Sequence, residues 1–137
     1  MSTEIHEAIA LLLCNYAKVK YDDNVKDDIK IIIRNTKAEI DSILLAVNYI
    51  YKLVVANDHQ LHWKPTTVFS TSLWIAIEVK DQIQIEIHKW HEKTSVSIRD
   101  LKSMEIIIKC SLGHQIYVSA QEFEMFKSEF LRHVKVY

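Results

Sequence analysis

Glycine and proline are almost missing from this sequence of 137 residues, which holds one of each, Gly113 and Pro65. A single glycine excludes the phosphate-cradling GxxxxGK loop, the GxGxxG dinucleotide turn and the GxSxG nucleophile elbow. A single proline excludes a proline-rich ligand or a polyproline linker. Charge of one sign is missing too. There are 17 basic and 18 acidic residues, and residues 1–66 hold 8 of the former and 9 of the latter. Neither half is basic enough to grip a polyanion by charge alone. Cys14 and Cys110 stand far apart, without metal-ligand spacing, each in an apolar pattern that suits inert packing. With no secretory leader ahead of them, a reducing, cytoplasmic setting is expected. The longest apolar stretches, such as Ala8 to Leu13, are too short to cross a bilayer, so no membrane partner is expected.

What is present reads as globular. Hydrophobic residues make up 49% and charged ones 26%, a balance that buries a core, and the length suits a single domain over 1–137. Residues 1–58 read as the helical part. Ile5, Ala8, Ile9, Leu12, Leu13 and Tyr16 recur at helical spacing. Thr36 with Glu39 has the form of a capping box, followed by the stripe Ile40, Ile43, Leu44, Val47, Ile50, Tyr51 and Val54. Between them Asp27 to Arg34 is ambiguous. Its acidic start and basic end suit a helix dipole, and its isoleucines suit a strand. Asn57 to Pro65 reads as a loop.

From there the period changes to two. Ile75, Ile77 and Val79, then Ile83, Ile85 and Ile87, alternate with other residues and predict two strands joined at Lys80-Asp81-Gln82. Val96 and Ile98, Met104 to Cys110, and Ile116 with Val118 predict three more, with Gly113 supplying a turn. Residues 119–135 predict a closing helix. Ser119 and Glu122 form a capping box, Val118 and Phe123 a hydrophobic staple, and Phe123, Phe126, Phe130, Leu131 and Val134 one apolar face. The expected fold is therefore α+β: N-terminal helices, an antiparallel β-meander of four or five strands over 66–118, and a C-terminal helix. The poverty in glycine and proline pulls the other way, because strand-rich domains spend both on turns.

Two family resemblances attach to the two ways of reading the middle. Taken as helices, residues 66–118 resemble a cyclin box. Phe69, Ala76 and Asp81 fall near that family's second-helix pattern, and Trp90, Ser97, Leu101, Met104, Glu105, Leu112, Ile116 and Val118 near the pattern that follows. The resemblance implies a regulatory subunit that contacts a kinase. The lysine that cyclins place after an alanine-small pair is Glu78 here, so Glu105 alone remains of a kinase-contact pair, and Thr94-Ser95 replace glycines expected before the fourth helix. Taken as strands, Val96 to Lys102 and Ile116 to Ser119 leading into a helix are similar to the β-β-β-β-α coactivators, relatives of Whirly and Pur proteins. That likeness implies single-stranded nucleic-acid binding on a basic sheet face, where Glu78, Glu86 and Glu105 intrude. Neither resemblance assigns the chain to a family.

No catalytic signature stands out, and no catalytic residue, metal ligand or cofactor is expected. His88-Lys89-Trp90-His91 gathers titratable groups, but on a strand the two histidines point to opposite faces. His59 and His62 repeat the spacing in a loop. Glu86, His88 and Arg99 on one sheet face could supply the base, acid and phosphate clamp of a nuclease, although mixed charge on a strand is ordinarily just solvated. The preferred expectation is a non-enzymatic protein that occupies a protein partner, of immunity-protein, inhibitor or antagonist type. With the isoleucines turned inward, Trp74, Glu86, His88, Trp90, Arg99 and Tyr117 form its contact surface, aromatic anchors amid mixed charge. The plainer alternative buries both tryptophans as core. Nucleic acid is the less favoured partner, and a second copy of the chain is admissible.

Overall fold

The computed structural model describes residues 3–56 and 63–135. Seven α-helices occupy most of them: α1 Ile5–Ala17, α2 Asp23–Thr36, α3 Ile40–Val55, α4 Pro65–Asp81, α5 Ile87–Thr94, α6 Ile98–Leu112 and α7 Ala120–Leu131, with a 3₁₀ turn at Gly113–Ile116. The expected β-meander over 66–118 is absent. The β pairing among the described residues is one two-residue parallel bridge, β1 Thr3–Glu4 against β2 Val134–Lys135, which ties the two ends together. The α+β assignment is therefore corrected to an all-helical bundle.

The reason lies in α4. Pro65 opens it at a position where the missing N–H costs nothing. Every residue from Thr67 to Ala76 is buried, because α3 and α6 pack closely on it and α1 and α2 also reach it. A helix covered on all sides needs no amphipathic stripe, so its sequence lacks the 3.6-residue period by which helices are recognised. The apparent alternation of Ile83, Ile85 and Ile87 has a different origin. Residues 83–86 form an extended link between α4 and α5, after Gln82 ends α4 in the left-handed conformation at φ 54°. The hairpin turn predicted at Lys80-Asp81-Gln82 is therefore corrected: Lys80 and Asp81 are the last residues of α4 and Gln82 is its C-cap.

Two side chains of α4 hold that link. The Trp74 indole Nε1 donates to the Ile85 carbonyl at 3.1 Å. The Glu78 carboxylate accepts from the Ile85 amide at 2.9 Å. Both polar groups of one irregular residue are thereby satisfied by the preceding helix.

The remaining boundaries follow local chemistry. Asp22 caps α2, resolving the ambiguous segment as helix, and Arg34 lies in its last turn. Thr36 does not cap α3. It is the last residue of α2, and its hydroxyl donates back to the Ile32 carbonyl at 2.8 Å, so the Thr36–Glu39 capping box is corrected. Ser97 caps α6 through the Asp100 amide, and Ser119 caps α7 through the Glu122 amide, each at 3.1 Å. Gly113 ends α6 at φ 54°, ψ −130°, a region that only glycine enters cheaply.

One cluster of buried side chains draws on α1 to α6 and includes Ile9, Leu13, Ile29, Leu44, Ile50, Phe69, Leu73, Trp90, Leu101 and Met104. The buried Tyr49 hydroxyl donates to the Ile116 carbonyl at 2.6 Å and fastens the 3₁₀ turn to α3. By contrast α7 has no buried residue. Phe123, Phe126 and Phe130 rest half-covered against the body.

Candidate partner-binding surfaces

The six residues expected to form a contact surface divide. Trp74 and Trp90 lie in the core, 5% and 1% exposed. The Trp90 indole Nε1 donates to the Ser70 carbonyl of α4 at 2.9 Å, and Thr94 Oγ1 donates to the Trp90 carbonyl at 2.9 Å. These tryptophans are architectural. Glu86 and His88 are exposed at the start of α5, where Glu86 caps the helix through the His88 amide and also bonds the His88 ring. That ring and that amide hold the Glu86 carboxyl below its ordinary range. Arg99 is exposed on the first turn of α6 and Tyr117 follows the 3₁₀ turn, 70% exposed. Among the described residues no hydrogen bond or ion pair joins Arg99 or Tyr117 to the Glu86–His88 pair.

The nuclease arrangement loses its basis with the sheet that was to align it. His91 is committed elsewhere, its Nδ1 lying 2.6 Å from the Val96 carbonyl. No group of three or more histidine, cysteine or acidic side chains suits a metal ion among the described residues. His59 and His62 lie outside those residues. Cys14 is buried, and burial pushes its thiol up, away from nucleophilic character. Cys110 is exposed instead of packed, because it falls on the outer side of α6. No helix among the described residues is long and apolar enough to cross a membrane.

Two surfaces remain. The first is a small cleft of about 300 Å³ between α4 and α6, lined by Ile75, Glu78, Val79, Gln82, Lys109, Ile116 and Tyr117. On its α6 side Lys109 pairs with Glu105 at 3.2 Å; Ile106, one turn before Lys109 and outside the cleft lining, is 63% exposed. An exposed isoleucine and an exposed tyrosine beside a charged pair have the composition of a protein interface, and a single residue of this set, Tyr117, was predicted from sequence.

The second surface is larger and was not anticipated. A groove with a cavity volume of about 1050 Å³ runs between α1, α3 and α7. Leu11 and Leu12, Val47 and Tyr51, and Met125, Phe126 and Phe130 supply its apolar walls. Tyr51 and Phe126 stand 6.4 Å apart by ring centroid, and Phe126 stacks on Phe130 at 5.9 Å. Ion pairs Lys52–Glu122 at 3.0 Å and Lys127–Asp41 at 2.9 Å hold α7 across α3. The signal was present in sequence: Leu11 and Met125 lie off the stripes read for their helices, which widens the apolar face beyond what a core needs.

No family model matches the chain, and no curated protein or solved structure matches it either.

Proposed function

We propose that this protein is a non-enzymatic regulatory module with a cyclin-box-like helical core, which acts by occupying a protein partner, and that the partner is a protein kinase catalytic domain. The observation that carries this reading is where the cyclin-like positions fall. The resemblance demanded helices through 66–118, and α4, α5 and α6 lie there. Phe69, Ala76, Trp90, Leu101, Met104, Leu112 and Ile116 are all buried, and Ser97 caps α6. What supports the reading is the helical order together with the inward placing of the pattern's apolar members; its polar members Asp81 and Ser97 are exposed. The nucleic-acid reading needed a sheet face and has lost its support. The cytoplasm is the proposed compartment, in keeping with two free cysteines.

The departures from the family shape the mode of contact. Glu78, which replaces the cyclin lysine, is used internally on the Ile85 amide. Glu105 is bound by Lys109. The contact therefore rests on the α6 face, with Ile106 and Tyr117 as apolar anchors and the Glu105–Lys109 pair at the rim. The chain would hold its partner through this altered face without the family's lysine.

The experiment is titration calorimetry of the purified chain against the cyclin-dependent-type kinase domains of its own genome. A one-to-one complex is expected with one of them. Ile106→Asp, at an exposed site, should weaken it at least about tenfold with unchanged circular dichroism. Absence of binding to every such kinase refutes the kinase assignment, and binding indifferent to both Ile106→Asp and Tyr117→Ala refutes the α6 face.

A further inference from the structure

We infer that the groove between α1, α3 and α7 is a binding site for a neutral, lipid-like ligand, a long apolar chain that carries a hydroxyl. This site is separate from the α6 face.

Three observations converge. First, α7 brings Met125, Phe126 and Phe130 to the groove and none of its residues becomes buried, so its apolar face is left incompletely covered. Second, among the polar residues of the lining one is buried and has an unpartnered atom. Asn48 of α3 lines the groove, is 3% exposed, and its Oδ1 has no hydrogen-bond partner among the described residues. An amide buried without a partner costs free energy comparable to a lost hydrogen bond. A hydroxyl both donates and accepts, so it suits either end of the carboxamide. Third, the charged rim is already balanced. Lys52 is held by Glu122 and by the Gln115 carbonyl, and His133 faces Glu129 at 3.9 Å. No free cation stands among the groove-lining residues described to receive a carboxylate or phosphate head. A cleft with apolar walls and a few polar groups is the usual form of a small-molecule site, and this volume is at the upper end of that range.

Equilibrium dialysis of radiolabelled dodecanol against the purified chain tests the site, with chlorododecane and dodecanoate as matched competitors. Dodecanol should bind saturably at one equivalent. It should bind about tenfold more tightly than chlorododecane, the worth of one hydrogen bond, and more tightly than dodecanoate. Met125→Trp, at a position 67% exposed, should fill the groove and weaken dodecanol at least about tenfold without loss of helix signal. Asn48→Leu should erase the preference for dodecanol over chlorododecane. If that variant does not fold, the Met125→Trp result and the competitor ranking decide alone. Unsaturable uptake, equal affinity for the two neutral probes, or indifference to Met125→Trp overturns the assignment. So does sedimentation showing a dimer that Met125→Trp dissociates, which would give the groove to a second copy of the chain.

Discussion

Replacement of Trp90 separates an architectural indole from a docking anchor. Trp90 is 1% exposed and is among the largest side chains fully inside the protein. Truncation to alanine removes the whole indole, with its bond to the Ser70 carbonyl of α4, from a helix packed on α2 and α6, and such a site cannot collapse to fill the space. The expected cost is about 3–5 kcal/mol. With a urea slope of about 1–3 kcal/mol per molar, the unfolding midpoint should fall by roughly 2 M. Trp90→Phe isolates the polar part. The Ser70 carbonyl lies inside α4, where the helix ladder still supplies an amide, so loss of the indole N–H strands no acceptor. That variant should cost about 1–2 kcal/mol, mostly one hydrogen bond and some ring area. The assay is equilibrium urea unfolding followed by circular dichroism, beside kinase binding measured on the folded variants. A midpoint unchanged within about 0.2 M for Trp90→Ala, together with lost partner binding, would refute the core assignment.

Gly113→Ala should destabilise the chain by about 1–2 kcal/mol through backbone strain alone. An added Cβ there meets nothing within 4 Å, so full stability in the same urea assay would mean that the positive φ is not required. Tyr49 should be the last tyrosine to ionise in a spectrophotometric titration. Burial raises its hydroxyl above the ordinary value of 10.0, whereas Tyr21, desolvated beside Asp23, is pushed up to about 12. The neutral phenol is the form the fold favours. Its contribution is therefore complete below the ordinary value and is lost as pH rises through the folded value, so Tyr49 phenolate should appear together with unfolding. Tyr49→Phe should remove that late step and cost about 0.5–1.5 kcal/mol for the bond to Ile116. A full tyrosine titration completed near the ordinary value by a chain that stays helical would contradict this.

The amphipathic helices at either end and the Ser119 cap were legible because their chemistry is local, whereas the Ser97 cap was hidden by the strand reading of its neighbours. The stripe of α3, the face of α7 and the Ser119 cap need only a window of neighbouring residues to be seen. The middle was not legible for a physical reason. Strand propensity of isoleucine and valine is largely a preference for buried, packed surroundings, and α4 offers them within a helix. Ile75 is buried there beside Leu73, Trp74 and Ala76, so neighbours in sequence share the core instead of alternating across a sheet. The stronger clue was negative. Five short strands would have needed several tight turns, and a chain with one glycine and one proline has little material for them. Among the described residues, helix ends at positive φ fall on Lys18, Lys37, Gln82 and Ser95 as well as Gly113, and the two lysines and the glutamine carry no turn signature. The groove escaped notice because it is a relation between α1, α3 and α7, distant in sequence. Of the expected surface, Tyr117 lines the cleft between α4 and α6, and the grouping of the six rested on a sheet geometry that does not exist.

Glu78 shows how a position tied to partner contact in a resembling family can be redirected inward. Its carboxylate accepts the Ile85 amide while Trp74, one turn earlier on α4, donates to the Ile85 carbonyl. A lysine at 78 has no acceptor to offer that amide, so the chain cannot regain the cyclin lysine without releasing half of this clamp. Release would loosen the link that sets where α5 begins, and α5 carries Trp90 into the core. The charge reversal and the buried tryptophan thus belong to one structural solution. Ile106 and Lys109 on α6, and Tyr117 after the 3₁₀ turn, carry no part of that clamp, so substitutions there should leave the link and Trp90 in place.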